Sequence, residues 1–134
     1  MKLAPLSAAA ARQERTEQLR RSRATAQVLR SAFPAVEQLR LDMRFEGAAA
    51  NTPAPQSHVL YPAARAFFAF PCPYADCDGQ FDLTAAVSAA LAERSDRTEG
   101  VLECSGARIG GGASRHPCQL RLLHTITAIY HQEG

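Results

Sequence analysis

The chain contains four cysteines, and their spacing is typical of residues that bind a metal ion. Cys72 and Cys77 are separated by four residues, a spacing found between zinc ligands. Cys104 and Cys118 form a second pair with thirteen residues between them. Four thiolates fill the tetrahedral shell of a zinc ion and leave no position for a substrate. The sequence therefore predicts one structural zinc ion bound by these four cysteines.

The wide spacing of the second pair is explained by the strands predicted around it. Cys104 ends a predicted strand over residues 100–105, and Cys118 begins another over residues 118–130. If these two strands pair, both thiols lie at the same end of a hairpin. Cys72 ends a further predicted strand, so all four sulfurs are expected to converge at one edge of a sheet.

The sequence is also compatible with three alternative states of the cysteines. They are buried free thiols, a disulfide such as Cys104–Cys118, and a site in which His116 replaces one thiol. The N-terminal residues lack the continuous apolar segment of a secretory signal. We therefore expect a cytoplasmic, reducing location, in which clustered cysteines bind metal more often than they form disulfides.

The remaining pattern predicts an α+β domain. Leu39, Leu41, Met43 and Phe45 alternate with polar residues, as in an antiparallel strand with one buried face. Two helices and four strands are expected in the order α-β-β-α-β-β. Their predicted bounds are 7–33, 37–46, 58–71, 84–94, 100–105 and 118–130. We expect a small antiparallel sheet with a zinc knuckle at its edge.

Charge divides the chain into two parts. The 134 residues carry a net charge of +2, but residues 1–33 carry +5 and residues 34–134 carry −3. This asymmetry predicts a basic N-terminal helix or arm over residues 1–34 and a zinc-stabilised α+β domain over residues 35–134. The arm can dock on its own acidic domain or on an external polyanion. Because no run of 18 apolar residues is present, no membrane-spanning segment is expected.

The sequence around the first cysteine pair resembles part of a known metal-binding family. Over residues 70–91 it is similar to the first half of a zinc finger of the two-cysteine, two-histidine type, with Phe81 at the place of the core aromatic residue. Gly79 is expected to adopt the positive φ that a tight turn needs. The places of the two histidines hold Ala90 and Arg94, so the finger's role in reading DNA is not carried over.

With the second cysteine pair included, the chain looks more like a zinc ribbon, in which hairpins contribute pairs of cysteines. That resemblance implies a non-enzymatic binding or adaptor module whose partner is a nucleic acid or a protein, with the oligomeric state open. The alternatives are a thiol-based redox protein or enzyme that uses Cys72 or Cys77, and a structural or oligomerising subunit in which the final strand is a sheet edge. The expected contacts to anions or nucleic acid are Arg12, Arg15, Arg20, Arg21, Arg23, Arg108 and Arg115.

Overall fold

The computed structural model of the chain describes residues 8–47, 52–109 and 115–132, without the side chains of residues 8, 9, 109 and 115. Within these ranges, no helix combines the length and the apolar composition needed to cross a bilayer. The elements in chain order are α1 (Ala8–Thr25), α2 (Leu29–Ala32), β1 (Val36–Glu46), β2 (Gln56–Leu60), β3 (Ala69–Pro71), β4 (Gln80–Asp82), α3 (Thr84–Ala92), β5 (Arg97–Glu103), β6 (Ala107–Ile109), β7 (Arg115–Pro117) and β8 (Arg121–Tyr130).

The longer strands form one antiparallel sheet. Its strand order is β2-β1-β8-β5, so β8 lies inside the sheet between β1 and β5. Leu41 of β1 is opposite Ile126 of β8, and Glu103 at the end of β5 is opposite Arg121 at the start of β8. The expected α+β class with an antiparallel sheet is confirmed. The final strand is not a sheet edge, contrary to the oligomerising alternative, because β8 has a partner on both sides.

The sheet has one buried face, as the alternation in β1 predicts. Leu39, Leu41 and Met43 are buried, whereas Arg40 and Arg44 between and beside them are exposed. Helix α3 and residues around the small hairpin β3–β4 cover this buried face. The core residues that they contribute are Phe68, Phe81, Leu83, Val87, Ala90 and Leu91.

Two short hairpins, β3–β4 and β6–β7, extend the element order beyond the six elements predicted. The first hairpin carries Cys72 and Cys77 in its turn, and the second lies between Cys104 and Cys118. Strand β3 is the end of the strand predicted over residues 58–71, whereas β4, β6 and β7 are not predicted, because three residues are too few to show a hydrophobic period. Two small hairpins, separate from the four-stranded sheet, therefore accompany the two pairs of cysteines.

The N-terminal helix ends eight residues before its predicted bound at residue 33. Helix α1 stops at Thr25, and the chain then pairs with another segment before the short helix α2 begins. The N–H of Ala66 donates to the carbonyl of Gln27, and the N–H of Leu29 donates to the carbonyl of Ala64, both at 2.7 Å. These tertiary hydrogen bonds replace helical ones, so the helix breaks in spite of its favourable composition.

The predicted strand over residues 58–71 is also divided. Strand β2 ends at Leu60, and a turn follows in which the N–H of Ala64 donates to the carbonyl of Tyr61 at 2.8 Å. Pro62 lies in this turn, where its lack of an N–H interrupts no ladder of hydrogen bonds. Strand β8 likewise begins at Arg121, which leaves Cys118 just outside it.

Candidate metal centre

The sulfurs of the four cysteines lie together in the interior of the protein. All four residues are buried, and their Sγ atoms lie within 4.8 Å of one another. The Sγ atoms of Cys72 and Cys118 are 3.9 Å apart, and those of Cys77 and Cys104 are 3.6 Å apart. Four sulfurs bound at about 2.3 Å to one ion at tetrahedral corners lie about 3.8 Å apart. The cluster therefore has the dimensions of a site for a single metal ion.

No disulfide links these cysteines, all of which lie among the described residues. The four thiols are free, so the Cys104–Cys118 disulfide is not formed. His116 lies on β7, opposite Arg108, and is exposed. In the described part of the chain, the side chains that could together hold a metal are those of the four cysteines. The predicted set of four sulfurs is the one that the fold brings together.

The first knuckle is the turn between β3 and β4. Cys72 follows β3 directly, and its N–H donates to the carbonyl of Gly79 at 3.0 Å. The N–H of Gly79 donates in turn to Sγ of Cys77 at 3.3 Å. A backbone N–H directed at a sulfur favours the thiolate, which is the form that binds a metal.

The second knuckle repeats this arrangement at the ends of β5 and β8. The N–H of Cys118 donates to the carbonyl of Gly106 at 3.0 Å, and the N–H of Gly106 donates to Sγ of Cys104 at 3.4 Å. A further bond from the Cys104 N–H to the carbonyl of Leu120, at 3.0 Å, continues the pairing of β5 with β8. The expectation that these two strands bring their thiols to the same end of the sheet is therefore confirmed.

The two knuckles meet at a pair of glycines. A Cβ added to Gly106 would lie 2.4 Å from both Cα and N of Gly79, and a Cβ added to Gly79 would lie 2.5 Å from Sγ of Cys104. Glycine is required here because the two backbones touch. The expectation of a positive φ at Gly79 is wrong, because no glycine among the described residues has one.

Hydrogen bonds among the thiols shift their pKa values in opposite directions. The bond with Cys72, supported by one with Cys77, lowers the pKa of the Cys104 thiol to about 4. Contacts with Cys104 raise the pKa of both the Cys72 and the Cys77 thiols. Four crowded and buried thiols do not all lose their protons unless a positive charge compensates them. A divalent cation bound among the sulfurs would supply that charge.

Helix α1 is docked on the first knuckle through two arginines. Nη1 of Arg12 donates to the carbonyl of Cys72 and, at 3.1 Å, to that of Tyr74. Nε of Arg15 donates to the carbonyl of Asp78 at 3.2 Å. These bonds fix the backbone on both sides of the turn that carries Cys72 and Cys77. Two binding modes were open for the arm, and the N-terminal half of α1 shows the one in which the arm docks on its own domain.

Side chains next to the sulfurs join the two knuckles to each other. Oδ1 of Asp78 accepts the N–H of Ala107 at 2.8 Å, and the Asp78 N–H donates to the carbonyl of Ala107 at 3.2 Å. Nε of Arg108 donates to Oδ1 of Asp76 at 2.9 Å, and this carboxylate raises the pKa of the guanidinium. The Arg108 guanidinium also lies 3.8 Å from the centroid of the Tyr74 ring. Arg108 is therefore a link between the knuckles.

The other arginines predicted as contacts lie away from the sulfurs. Arg20 pairs with Glu17 on the same exposed face of α1, and Arg21 is exposed beside it. The guanidinium of Arg23 lies over the rings of two phenylalanines near the end of α1. The side chain of Arg115 lies outside the described part of the chain.

Two features of the centre are not among the sequence predictions. The first is the role of Gly106, for which a signal exists, since the pattern Cys-x-Gly occurs at residues 77–79 and again at 104–106. The second is the identity of the docking contacts, in which Arg12 and Arg15 donate to backbone carbonyls of the first knuckle. The charge asymmetry allows the arm to dock on its own domain, but no sequence signal shows which arginines make the contact.

Replacing Gly106 by Ala should weaken the binding of an added divalent metal ion such as Zn²⁺ by at least about tenfold, because the added methyl group displaces the backbone that positions two of the candidate ligands. Competition with a chromogenic chelator measures the affinity. The control is Ser105→Ala, which changes an exposed residue of the same knuckle and should bind zinc as the parent does. Parent-like affinity in Gly106→Ala would contradict the role assigned to the glycine pair.

In protein loaded with Zn²⁺, replacing Arg12 by Ala should speed the loss of the metal to excess chelator by about tenfold, because the turn between Cys72 and Cys77 loses a charged donor. Stopped-flow measurement of zinc release tests this expectation. Arg20→Ala is the matched control. It removes the same charge from the same helix, but the Arg20 side chain contacts Glu17 and not the knuckle. Equal release rates from the two variants would show that α1 does not hold the centre.

Comparisons of this chain with protein-family models, with curated proteins and with solved structures find no significant match. The metal centre and the surfaces around it are therefore the basis on which a function can be proposed.

Proposed function

We propose that the chain is a cytoplasmic, zinc-stabilised binding module, similar to a zinc ribbon, in which one structural zinc ion is bound by the four cysteines. The observation that carries this proposal is the convergence of four buried sulfurs from two hairpins within 4.8 Å. A tetrahedral set of four sulfurs suits zinc, and iron is the main competitor for such a set. The metal would link the two hairpins, and a core as small as this one needs such an additional link for stability.

A non-enzymatic role is supported by the closure of the site. Four protein ligands leave no coordination position for a substrate or a reactive water molecule. The alternative function as a redox protein requires an accessible thiolate at Cys72 or Cys77, but neither residue has any exposed surface. Their sulfurs also face Cys118 and Cys104 at distances that suit a shared ion.

Nucleic acid is the partner that we propose for this module. Arg20, Arg21 and Arg23 are exposed on the half of α1 that follows the docked arginines. This part of the arm is basic, whereas residues 34–134 carry a net charge of −3. Exposed arginines on one helix attract phosphates by charge. A protein partner would instead be indicated if the metal-loaded chain binds no nucleic acid at low salt.

Metal analysis of untagged protein tests the zinc centre. We expect one zinc ion per chain, and removal of the ion by a chelator should unfold the domain, because metal binding and folding are coupled. Cys104→Ser should destabilise the chain about as strongly as Cys72→Ser in thermal unfolding. Iron in place of zinc, or a Cys104→Ser variant that keeps its zinc and its stability, would contradict the proposed centre.

Salt dependence tests the proposed partner. Binding of the zinc-loaded chain to a labelled oligonucleotide should be measurable at about 50 mM salt and should weaken steeply by about 200 mM, because phosphate contacts release counterions. Fluorescence anisotropy measures the affinity. The double variant Arg20→Ala/Arg21→Ala should reduce the slope of log affinity against log salt. A lack of binding at the lower salt concentration rejects nucleic acid as the partner.

A further inference from the structure

A cavity of about 420 Å³ opens beside β2, and none of the four cysteines lines it. It lies between the C-terminal end of α1, strand β2 and the segment that leads into β3. We call it the aromatic groove and define it by the side chains of Arg23, His58, Arg65, Phe67 and Phe70, all of which line it. Its size is within the range of small-ligand pockets, so it has room for a group as large as one nucleotide.

Aromatic rings form one wall of the aromatic groove. The ring of His58 is stacked on that of Phe70, with centroids 4.6 Å apart and an angle of 28° between the planes. The Cζ atom of Arg23 lies 5.2 Å from the Phe67 centroid and 6.0 Å from the Phe70 centroid. The wall therefore offers π faces that are covered by the exposed guanidinium of Arg23.

Positive charge lies at the mouth of the aromatic groove. Arg23 and Arg65 are both exposed, and among the residues that the structure describes no carboxylate side chain lines the cavity. Arg65 uses Nη1 to donate to the carbonyl of Ala26 at 2.8 Å, which leaves other N–H groups of its guanidinium for a ligand. Asp42 reaches the rim through a hydrogen bond from Ser57, but its charge is offset by Arg40. An anion bound at the mouth would meet two arginines.

The imidazole of His58 is suited to stacking. Burial, together with the charge of Arg23, lowers its pKa, so the ring is neutral at neutral pH. It also contacts Gln56 through Nε2 and Oε1 at 3.3 Å. A neutral ring beside Phe70 extends the aromatic surface without repelling the cations at the mouth.

The frame of the aromatic groove is already formed. Backbone hydrogen bonds join residues 27–30 to residues 62–66, including one from the N–H of Arg30 to the carbonyl of Pro62 at 3.0 Å. These bonds hold the segment before Phe67 against the residues that connect α1 to the start of α2. A ligand would therefore bind without the cost of ordering a loop.

We propose that the aromatic groove binds one nucleotide of a single-stranded nucleic acid. The base stacks on the wall formed by Phe67 and the His58–Phe70 pair, in the place where the Arg23 guanidinium now lies. Arg23 and Arg65 then contact the phosphate. This inference rests on the proposed nucleic-acid function and gives it a site and a strand preference. A duplex would not fit this site, because its bases hide their faces in the stack.

A tryptophan reporter tests the site directly. The chain contains no tryptophan, so Phe67→Trp places a single indole in the aromatic groove. Addition of an unlabelled oligothymidine of about 12 nucleotides to the zinc-loaded variant should quench the tryptophan emission as a base stacks on the ring. Addition of the matching duplex at the same phosphate concentration should leave the emission nearly unchanged.

Affinities of two variants complete the test, measured by anisotropy with the labelled single strand. Phe67→Ala and Arg23→Ala should each weaken binding by about tenfold. The controls are Ile129→Ala, which shortens an exposed apolar side chain elsewhere, and Arg97→Ala, which removes the same charge from an exposed site on β5. Circular dichroism and metal content show that each variant is folded.

The outcomes separate this inference from the function on which it rests. Quenching together with selective losses in the two groove variants supports the aromatic groove. Binding without quenching, equal losses in Arg23→Ala and Arg97→Ala, or a preference for the duplex overturns the site while nucleic-acid binding stands. No binding by the parent chain at low salt overturns both proposals.

Discussion

The structure depends on the confinement of four sulfur atoms to a space no wider than 4.8 Å. Four buried thiolates repel one another and lose their hydration, so such a cluster is stable only when a cation or protons offset the charge. Because the sulfurs come from the turn after β3 and from the ends of β5 and β8, an ion among them would join the small hairpins to the main sheet. The contact between Gly79 and Gly106 shows how closely the two backbones must approach to bring the sulfurs together.

The basic arm has two halves with different surroundings. In the first half, Arg12 and Arg15 are hydrogen-bonded to carbonyls of the first knuckle, where they add positive charge next to the cluster of sulfurs. In the second half, Arg21 and Arg23 are exposed, and Arg23 covers the rings of the aromatic groove. The division of the chain into an arm over residues 1–34 and a domain over residues 35–134 stays a prediction, although the arm contacts the domain through both halves.

Sequence reasoning works best where one strong local signal controls the structure. The alternation in β1 predicts its buried face, and the cysteine positions at strand ends predict the convergence of the sulfurs. It fails where tertiary contacts override a local preference. The backbone groups of Gln27 and Leu29 form hydrogen bonds with residues 64–66, so the helix ends although its composition favours continuation. The role of Gly106 is missed for another reason. Glycine is needed there because its backbone approaches Gly79, 27 positions earlier in the chain, and not because of its backbone torsion angles.

X-ray absorption spectroscopy at the zinc edge, on the purified full chain, measures directly which atoms surround the metal ion. If the four cysteines bind one zinc ion, the spectrum should show a single shell of four sulfur scatterers at about 2.3 Å from the zinc. A shell that includes nitrogen or oxygen at about 2.0–2.1 Å would contradict it, because His116, another side chain or water would then complete the site. Protein that binds no zinc at all would contradict both the metal centre and the role assigned to the two knuckles.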